Sequence, residues 1–361
     1  MGSLIVYCAG TSVDVLPGNS IDALLLNVPN NGGTERAIQE SKNLIRVCNA
    51  KTTMLDSGGY QLFVAEQEKK EIICDEKIPL IQEKDLVNLT PFHVIWAAVR
   101  INPDRLVALD YPIATIEEKE KQEVEFRRKL GFNADWAIQT AQLREKHCPH
   151  IQLFLPIQCY NLDHLERYRR LVTGIRFDGY SMPVRNLNLG EIALFLSRFY
   201  QLGIRQIHLL GTLRFFTIAL CAYAARHFFD WVSLDATTWR LQAQDSRYMN
   251  PHDLSAEYIG NDAIIDPGIQ MDCPCPWCRN KTFTYIKHLP FKVREEFLRC
   301  HNFWVVDRVS RDLFQNSGSI ATLEQYLKRK ARNQAQIREL VKILAIMEKG
   351  KTDERAWELL K

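Results

Sequence analysis

The sequence predicts an α/β fold of the (β/α)8 barrel class, and three observations support this prediction. Short apolar runs recur along the chain, and most of them end in a polar residue or a glycine. The runs are continuous rather than alternating, which is typical of parallel strands that are buried on both faces. Helical patterns separate the runs, so that strand and helix alternate about eight times.

Each predicted strand corresponds to one apolar run. The N-terminal segment MGSLIVYCAG predicts the first buried strand, and the later runs are ALLLNV, TTMLDSGG, RLVALD, IQLFLPIQ, GIRFDGYSM, RQIHLLG and FDWVSLD. Three of the helical patterns between them end in Gly131, Gly174 and Gly203, which predicts C-terminal helix caps at these glycines. A doubly wound open sheet is the alternative fold, but no G-x-G-x-x-G follows the first strand to support it.

Composition indicates a globular protein. With 361 residues, of which 46% are hydrophobic and 25% charged, the chain can bury a full core. The N-terminal apolar run lacks a basic leader and a long hydrophobic stretch, so we expect neither a signal peptide nor a membrane span. Ten cysteines, scattered apart from one cluster, fit a reducing compartment and predict a cytoplasmic protein. The formal net charge of +3 neither requires nor opposes a nucleic-acid partner.

A dense cysteine cluster lies in the last third of the sequence. The segment CPCPWC contains Cys273, Cys275 and Cys278, and His301 follows 23 residues after the last of them. Thiolates this close together repel one another unless a soft cation compensates, and zinc prefers such sulfur and nitrogen ligands. Buried or disulfide-bonded cysteines are the alternative, but cysteines at this spacing in a reduced protein more often bind metal. Four protein ligands leave no open position, so we expect a structural zinc ion.

The position of this cluster suggests a division of the chain. It follows the last well-marked strand, which predicts a barrel domain over 1–265 and a zinc-binding subdomain over 266–305. Helices over 306–361 would complete the barrel and contact nucleic acid. Two other residues compete for the fourth ligand position, namely His288 in YIKHL and Cys300 beside the preferred histidine.

Three aspartates end predicted strands that are distant in sequence. Asp56 closes TTMLD, Asp110 closes RLVALD and Asp235 closes VSLD, while Gln158 and Gly211 occupy equivalent positions after two other strands. Functional residues of a barrel lie at the carboxyl ends of its strands. Like charges gathered in a partly dry pocket shift one another's pKa and serve acid–base or nucleophilic chemistry. Aspartates can also cap the loops and helices that follow strands, and this structural role is open to each of them.

Two motifs together resemble a known enzyme family. LDSGGYQLF at 55–63 and CPCPWC…TYIKHL…HN resemble the tRNA-guanine transglycosylase superfamily, whose hallmarks are a DSGG(F/Y)Q motif and a C-x-C-x2-C…H zinc site. The motifs occur in the expected order, and the resemblance spans 54–304. It implies a zinc-containing TIM barrel that exchanges a guanine base in nucleic acid for a 7-deazaguanine through a covalent enzyme intermediate.

The resemblance also implies roles for individual residues. Asp56 would be the general acid/base, Asp110 would recognise the guanine edge and Asp235 would be the nucleophile. Asp230, in FFDWV, is the alternative nucleophile, but the downstream SRYMN aligns best when Asp235 takes this place. His301 is preferred as the fourth zinc ligand on the same grounds. Further substrate-binding residues implied by the motifs are Ser57, Gly58, Gly59, Tyr60, Gln158, Leu210 and Gly211.

Departures from the family pattern bear on the nucleic-acid substrate. Bacterial tRNA enzymes follow their nucleophile with P-T-R-x-x-R-x-G, where this chain has ATTWRLQAQ, and SMPVRNLNLGE replaces their G-G-L-A-V-G-E loop. Archaeal tRNA enzymes carry long C-terminal extensions, whereas this chain ends about 60 residues after the zinc site. The chain therefore most resembles the DNA-guanine transglycosylase (DpdA) branch, which inserts 7-cyano-7-deazaguanine into DNA.

These observations predict the partners. We expect DNA, with tRNA as the alternative, together with a free 7-deazaguanine base, and either a homodimer or accessory proteins. Arginines beside or after the site segments would hold the phosphate backbone. They are Arg185, Arg214, Arg240, Arg247, Arg308 and Arg311.

Three other functions are alternatives to the transglycosylase. A zinc-dependent TIM-barrel hydrolase would place histidine ligands at the barrel mouth, but no H-x-H pair ends an early strand. A non-enzymatic accessory subunit would lack catalytic carboxylates, whereas all three aspartates are present. A zinc-finger binding module does not account for the large barrel-like remainder of the chain.

Overall fold

The computed structural model describes residues 2–10, 21–28, 35–78, 80–82, 86–264 and 271–360. The strands are β1 (Ser3–Cys8), β2 (Ala23–Asn27), β3 (Thr52–Asp56), β4 (Glu71–Ile73), β5 (Ile81–Gln82), β6 (Leu86–Asn88), β7 (Arg105–Val107), β8 (Gln152–Pro156), β9 (Gly179–Pro183), β10 (Gln206–Leu210), β11 (Trp231–Ala236), β12 (Arg247–Met249) and β13 (Ala256–Tyr258). The helices are α1 (Glu35–Cys48), α2 (Gly59–Gln67), α3 (Pro91–Ile101), α4 (Lys119–His147), α5 (Leu162–Leu171), α6 (Leu189–Gln201), α7 (Phe215–His227), α8 (Thr238–Gln244), α9 (Phe283–Lys287), α10 (Phe291–Asn316), α11 (Ile320–Lys330) and α12 (Gln334–Gly350), followed by a 3-10 helix at Glu354–Leu360.

Eight parallel strands form a closed barrel, in the order β1, β11, β10, β9, β8, β7, β3, β2. Each of them corresponds to one of the apolar runs in the sequence, and the predicted (β/α)8 barrel is confirmed. The continuous apolar pattern follows from burial on both faces, since every residue of β11 is buried. Two small sheets lie outside the barrel, a three-stranded sheet in the order β4, β6, β5 and the hairpin of β12 and β13.

Two compact units make up the chain. The first comprises Met1–Ser20, Leu187–Arg205 and Leu209–Lys361, and the second comprises Ile21–Asn186 and Gln206–His208. Within the first unit, β1 pairs in parallel with β11, and within the second, β2 pairs with β3 and β7 with β8. The division at 265 and 305 that the sequence suggests stays a prediction, and α10 runs across residue 305.

Helix α4 is longer than the sequence predicts. It continues through Gly131 to His147, so the predicted end at this glycine is wrong. Buried residues lie on both sides of the glycine, among them Phe126 before it and Trp136 after it. Their burial outweighs the cost of a helix-internal glycine, which is about 1 kcal/mol. At the end of α6, by contrast, Gly203 has φ +77° and its N–H donates to the carbonyl of Tyr200 at 3.1 Å, as predicted for a cap.

This contrast gives a matched pair of glycine substitutions. We expect Gly131→Ala to raise the free energy of unfolding by about 1 kcal/mol, because alanine costs less backbone entropy in a helix. We expect Gly203→Ala to lower it by about 1 kcal/mol, because an L-residue is strained in the left-handed region. A Cβ at either position meets no heavy atom within 4 Å, so differences in packing do not contribute to the two changes in the free energy of unfolding. Urea unfolding followed by circular dichroism measures both changes, and equal shifts of the same sign would contradict this account.

None of the helices in the described ranges has the length and apolar content needed to cross a membrane.

Candidate active site and metal centre

Asp110 lies in a buried, hydrogen-bonded cluster just after β7. One carboxylate oxygen, Oδ1, accepts a hydrogen bond from Ser57 Oγ at 2.9 Å, and Oδ2 accepts one from Gln158 Nε2 at 2.5 Å. Burial raises the pKa of Asp110 above its ordinary value of 3.8, whereas these two hydrogen bonds oppose the rise. The amide oxygen of Gln158 in turn accepts the N–H of Ile113 at 3.3 Å. The carboxylate is therefore held in one orientation by two donors from separate strand ends.

The DSGG segment forms the turn between β3 and α2. Asp56 is half-buried, and its Oδ1 accepts the backbone N–H of Ser57 at 2.9 Å. The N–H of Gly59 donates to Ser57 Oγ at 3.2 Å, and Gly58, with φ +81°, precedes the helix. A Cβ on Gly59 would lie 2.1 Å from Asp110 Oδ1, so only glycine allows this close approach. The structure thus brings three predicted segments together around Asp110.

Tyr60 occupies the first turn of α2. Its side chain is 63% exposed, and its ring stacks on Phe63 with a centroid separation of 6.1 Å. An exposed ring beside the Gly59 turn suits the expected stacking on a flat ligand.

Asp235 lies near the carboxyl end of β11, in the first unit. It is 8% exposed, and its Oδ1 accepts the backbone N–H of Gly211 at 3.2 Å. Its backbone carbonyl accepts the N–H of Thr212 at 2.9 Å, and Leu210, the last residue of β10, is half-buried. The structure therefore groups Asp235 with the predicted Gly211 segment.

Asp230 occupies a different position along the same strand. It directly precedes β11, and its backbone N–H and carbonyl bond to Arg205 and Ser3, each at 3.0 Å. Asp230 is thus at the amino end of the strand, whereas barrel enzymes carry their catalytic groups at the carboxyl ends.

The predicted backbone-binding arginines fall into three sets. Arg308 and Arg311 form helical ion pairs with Asp312 and Asp307 at 3.1 Å and 2.9 Å, which is ordinary surface pairing. Arg214 donates to the carbonyl of Leu187 at 2.7 Å. Of the remaining three, Arg240 donates to the carbonyl of Gly10 at 2.5 Å, and Arg185 and Arg247 are exposed.

The four predicted metal ligands converge. Cys273, Cys275, Cys278 and His301 are buried, and their ligand atoms all lie within 4.8 Å of one another. The Nδ1 atom of His301 lies 3.6, 3.4 and 3.2 Å from the three sulfur atoms. Tetrahedral zinc, with Zn–S of about 2.3 Å and Zn–N of about 2.0 Å, separates nitrogen from sulfur by about 3.5 Å. The cluster therefore fits a metal ion of this size.

Neither rival fourth ligand belongs to this cluster. His288 is exposed, and its Nδ1 faces the carbonyl of Thr284 at 2.7 Å. Cys300 is buried, but it is not among the four residues whose ligand atoms converge. The side chain of His301 points into the cluster because it lies one helical step beyond Cys300 on α10.

Several residues that hold His301 have no signal of their own in the sequence patterns. Its Nε2 bonds to the carbonyl of Met249 at 2.8 Å, which leaves Nδ1 for the metal, and Tyr248 stacks on its ring at 4.0 Å. Asn302 accepts the N–H of Met249 and donates to the carbonyl of Trp239. These contacts join residues more than fifty positions apart, and only the HN pair at 301–302 hinted at them.

Comparison with models of known protein families shows which family the chain belongs to. The family model described as TGT: Queuine tRNA-ribosyltransferase matches residues 30–335. The chain belongs to this family. A search of curated proteins gave no match.

Membership of the TGT family makes the protein a pentosyltransferase of the guanine transglycosylase type, which acts on nucleic acid and a free base. The resemblance inferred from the DSGGYQ and cysteine motifs is confirmed at the level of the superfamily. The matched range contains the Asp110 cluster, Asp235 and all four residues of the metal centre.

The electrostatics of Asp110 predict a pH dependence for this TGT family member. Because the hydrogen bond from Ser57 lowers the pKa of Asp110, Ser57→Ala should raise that pKa further. If the ionised carboxylate binds guanine, the acid limb of kcat/KM for guanine should then move to higher pH. Ser255→Ala is the matched control, since this hydroxyl donates to Asp253 at 2.6 Å instead. An unchanged acid limb in Ser57→Ala would show that another group sets it.

Proposed function

We propose that the protein exchanges guanine for a 7-deazaguanine base within nucleic acid, through a covalent aspartyl-glycosyl intermediate on Asp235. A carboxylate oxygen of Asp235 attacks C1′ of the sugar as the bond from C1′ to the guanine nitrogen breaks. The departing base takes the bonding electron pair and a proton from Asp56. The incoming base then returns a proton to Asp56 and attacks C1′, which releases Asp235.

Each residue is suited to its step. Breaking a nucleosidic bond develops positive charge on the sugar, which a carboxylate stabilises and can trap. A second carboxyl group is needed to protonate one purine and deprotonate the next, and Asp56 supplies it. The target nucleotide must leave the base stack to be reached.

The observation that carries the proposal is the fixed orientation of the Asp110 carboxylate. Guanine presents a ring N–H and an exocyclic amine on one edge, and a carboxylate accepts from both. The donors Ser57 and Gln158 hold the carboxylate in place before the base arrives, at 2.9 Å and 2.5 Å. Such preorganisation lowers the entropy that binding would otherwise cost.

Asp235 is favoured over Asp230 as nucleophile by its position. Asp235 lies near the carboxyl end of β11 and receives the Gly211 N–H at 3.2 Å, whereas Asp230 precedes the strand. A donor to one carboxylate oxygen fixes which oxygen faces the sugar.

We propose DNA as the nucleic acid and 7-cyano-7-deazaguanine as the incoming base. The support is in the sequence of two segments: α8, which follows Asp235, has TWRLQAQ, and β9 ends in SMP where the bacterial tRNA enzymes have their glycine-rich loop. tRNA is the second candidate, because the family model that matches the chain is named for a queuine tRNA-ribosyltransferase.

The decisive experiment supplies both nucleic acids. Purified protein is incubated with labelled guanine and either duplex DNA or tRNA, and Asp235→Asn serves as the inactive control. We expect label in DNA, and nucleoside mass spectrometry of cellular DNA should then detect the deazaguanine nucleoside. Incorporation into tRNA alone would overturn the DNA proposal in favour of the second candidate.

We also propose that the metal is zinc and that its role is structural. Three thiolates and one imidazole are the donor set that zinc prefers, and four protein ligands leave no position for water or substrate. The ion would neutralise the buried thiolates, while His301, Tyr248 and Asn302 position α10 against the β12 segment.

A further inference from the structure

Lys129, on α4, is a buried cation with a full set of partners. Its side chain is 1% exposed. The ammonium group bonds to Glu66 Oε2 at 2.6 Å, to Glu125 Oε1 at 2.9 Å and to the carbonyl of Pro112 at 2.8 Å. Three oxygen atoms therefore surround the three N–H groups of the ammonium.

These contacts enclose the turn that follows Asp110. The Lys129 ammonium lies 4.2 Å from the centre of the Tyr111 ring, within the range of a cation–π interaction. One helical turn later, Asn133 accepts the N–H of Tyr111 at 2.8 Å and donates to its carbonyl at 3.1 Å. Asn133 is itself buried, and its Nδ2 also bonds to the Lys129 carbonyl at 3.1 Å. Both backbone groups of Tyr111 are therefore held by one side chain.

The same cation reaches the helix of the DSGG motif. Glu66 lies in the last turn of α2, which begins at Gly59. A Cβ on Gly59 would lie 2.1 Å from Asp110 Oδ1, so a small shift of α2 or of the turn after Asp110 changes the carboxylate's surroundings. Lys129 bonds to both of these segments and thereby fixes their spacing.

The charges around Lys129 balance. Arg128 contacts Glu66 and also Glu125, which completes a network of two cations and two carboxylates. Burial by itself would raise the pKa of Glu66, but the hydrogen bonds and charges of Lys129 and Arg128 outweigh it and lower that pKa. Glu66 therefore stays ionised, and its ion pairs persist, to lower pH than for an ordinary glutamate.

We propose that Lys129 and Asn133 are positioning residues that hold the Asp110 carboxylate at the spacing from the Gly59 turn that guanine binding needs. The inference rests on the proposed role of Asp110 in recognising guanine. Neither residue touches the base. Both act through the backbone of Tyr111 and Pro112, so their loss should weaken guanine binding more than it slows the reaction of bound guanine.

The test combines affinity with local dynamics. In Lys129→Met and Asn133→Ala we expect the KM and Kd for guanine to rise about tenfold, while kcat at saturating guanine falls less than about threefold. Hydrogen exchange at 108–113, which contains the amides of Tyr111 and Ile113, should accelerate in both variants. Asn133→Ala leaves the ion pairs in place, so this variant still tests the proposal if Lys129→Met does not fold.

Arg299→Met is the matched control. Arg299 pairs with Glu295 at 3.0 Å on α10, with side-chain exposures of 12% and 17%, so the variant removes a similar ion pair elsewhere. It should leave guanine affinity and exchange at 108–113 unchanged. If the Asn133→Ala variant folds and binds guanine with an affinity within twofold of wild type, the proposal is overturned. If the wild-type protein binds no guanine, both the proposed function and the predicted effect on guanine affinity fail. Hydrogen exchange at 108–113 then still decides whether Lys129 and Asn133 hold the turn.

Discussion

Asp235→Asn should abolish base exchange, with a loss in kcat of at least about 10⁴-fold. The amide cannot form the ester bond to C1′ that the covalent intermediate requires. The substitution keeps the size of the side chain and an oxygen that can accept the Gly211 N–H, so the protein should fold normally. Incorporation of labelled guanine measures activity, and a denaturing gel of enzyme trapped with nucleic acid detects the covalent adduct.

Asp230→Asn is the control for this prediction. Asp230 precedes β11, and its structural hydrogen bonds use its backbone, so its amide variant should keep wild-type activity and form the adduct. The reverse pattern, an active Asp235→Asn and an inactive Asp230→Asn, would transfer the nucleophile's role to Asp230. Activity in both variants would rule out a covalent aspartyl intermediate at this strand.

Loss of the metal should unfold the protein rather than only inactivate it. Structural zinc contributes about 10–16 kcal/mol to folding in small zinc domains, and the Cys273, Cys275, Cys278 and His301 side chains are buried with their ligand atoms within 4.8 Å of one another. We expect Cys278→Ser, or treatment with a strong chelator, to abolish the cooperative thermal transition together with activity. Circular dichroism and measurement of bound metal follow both effects.

Cys300→Ser provides the matched cysteine control. Cys300 is a buried cysteine next to His301 that lies outside the converging set, so its loss should cost about 1 kcal/mol and leave one metal ion per chain. A metal-free Cys300→Ser protein would reassign the fourth ligand. A chelated protein that stays folded but loses activity would instead indicate a catalytic metal.

The sequence predicted those parts of the fold that depend on local pattern. Buried parallel strands require continuous apolar runs, and β11 illustrates this because all of its residues are buried. The cysteine spacing predicted the metal centre because three ligands lie in one short segment. The end of α4 was predicted wrongly at Gly131, since the burial of Trp136 and its neighbours depends on tertiary packing that one sequence does not display.

The finer structure of the site depends on contacts between distant segments. The family resemblance implied that Ser57 and Asp110 both bind the substrate, but not that Ser57 donates directly to the Asp110 carboxylate. Lys129 and Asn133 lie on α4, and lysine and asparagine side chains usually face solvent. Only the folded structure places both of them, buried, beneath the backbone of Tyr111.

The contacts of Asn302 limit how the enzyme can be re-engineered. This side chain ties the Trp239 carbonyl in α8 to the Met249 N–H in β12, beside the histidine of the metal centre. Asn302, on α10 next to His301, thus holds this stretch of the chain near both of its ends. If 237–249 is replaced in order to change the nucleic-acid preference, α10 must be replaced by a compatible helix as well. Otherwise the new segment will lack its hydrogen bonds to Asn302.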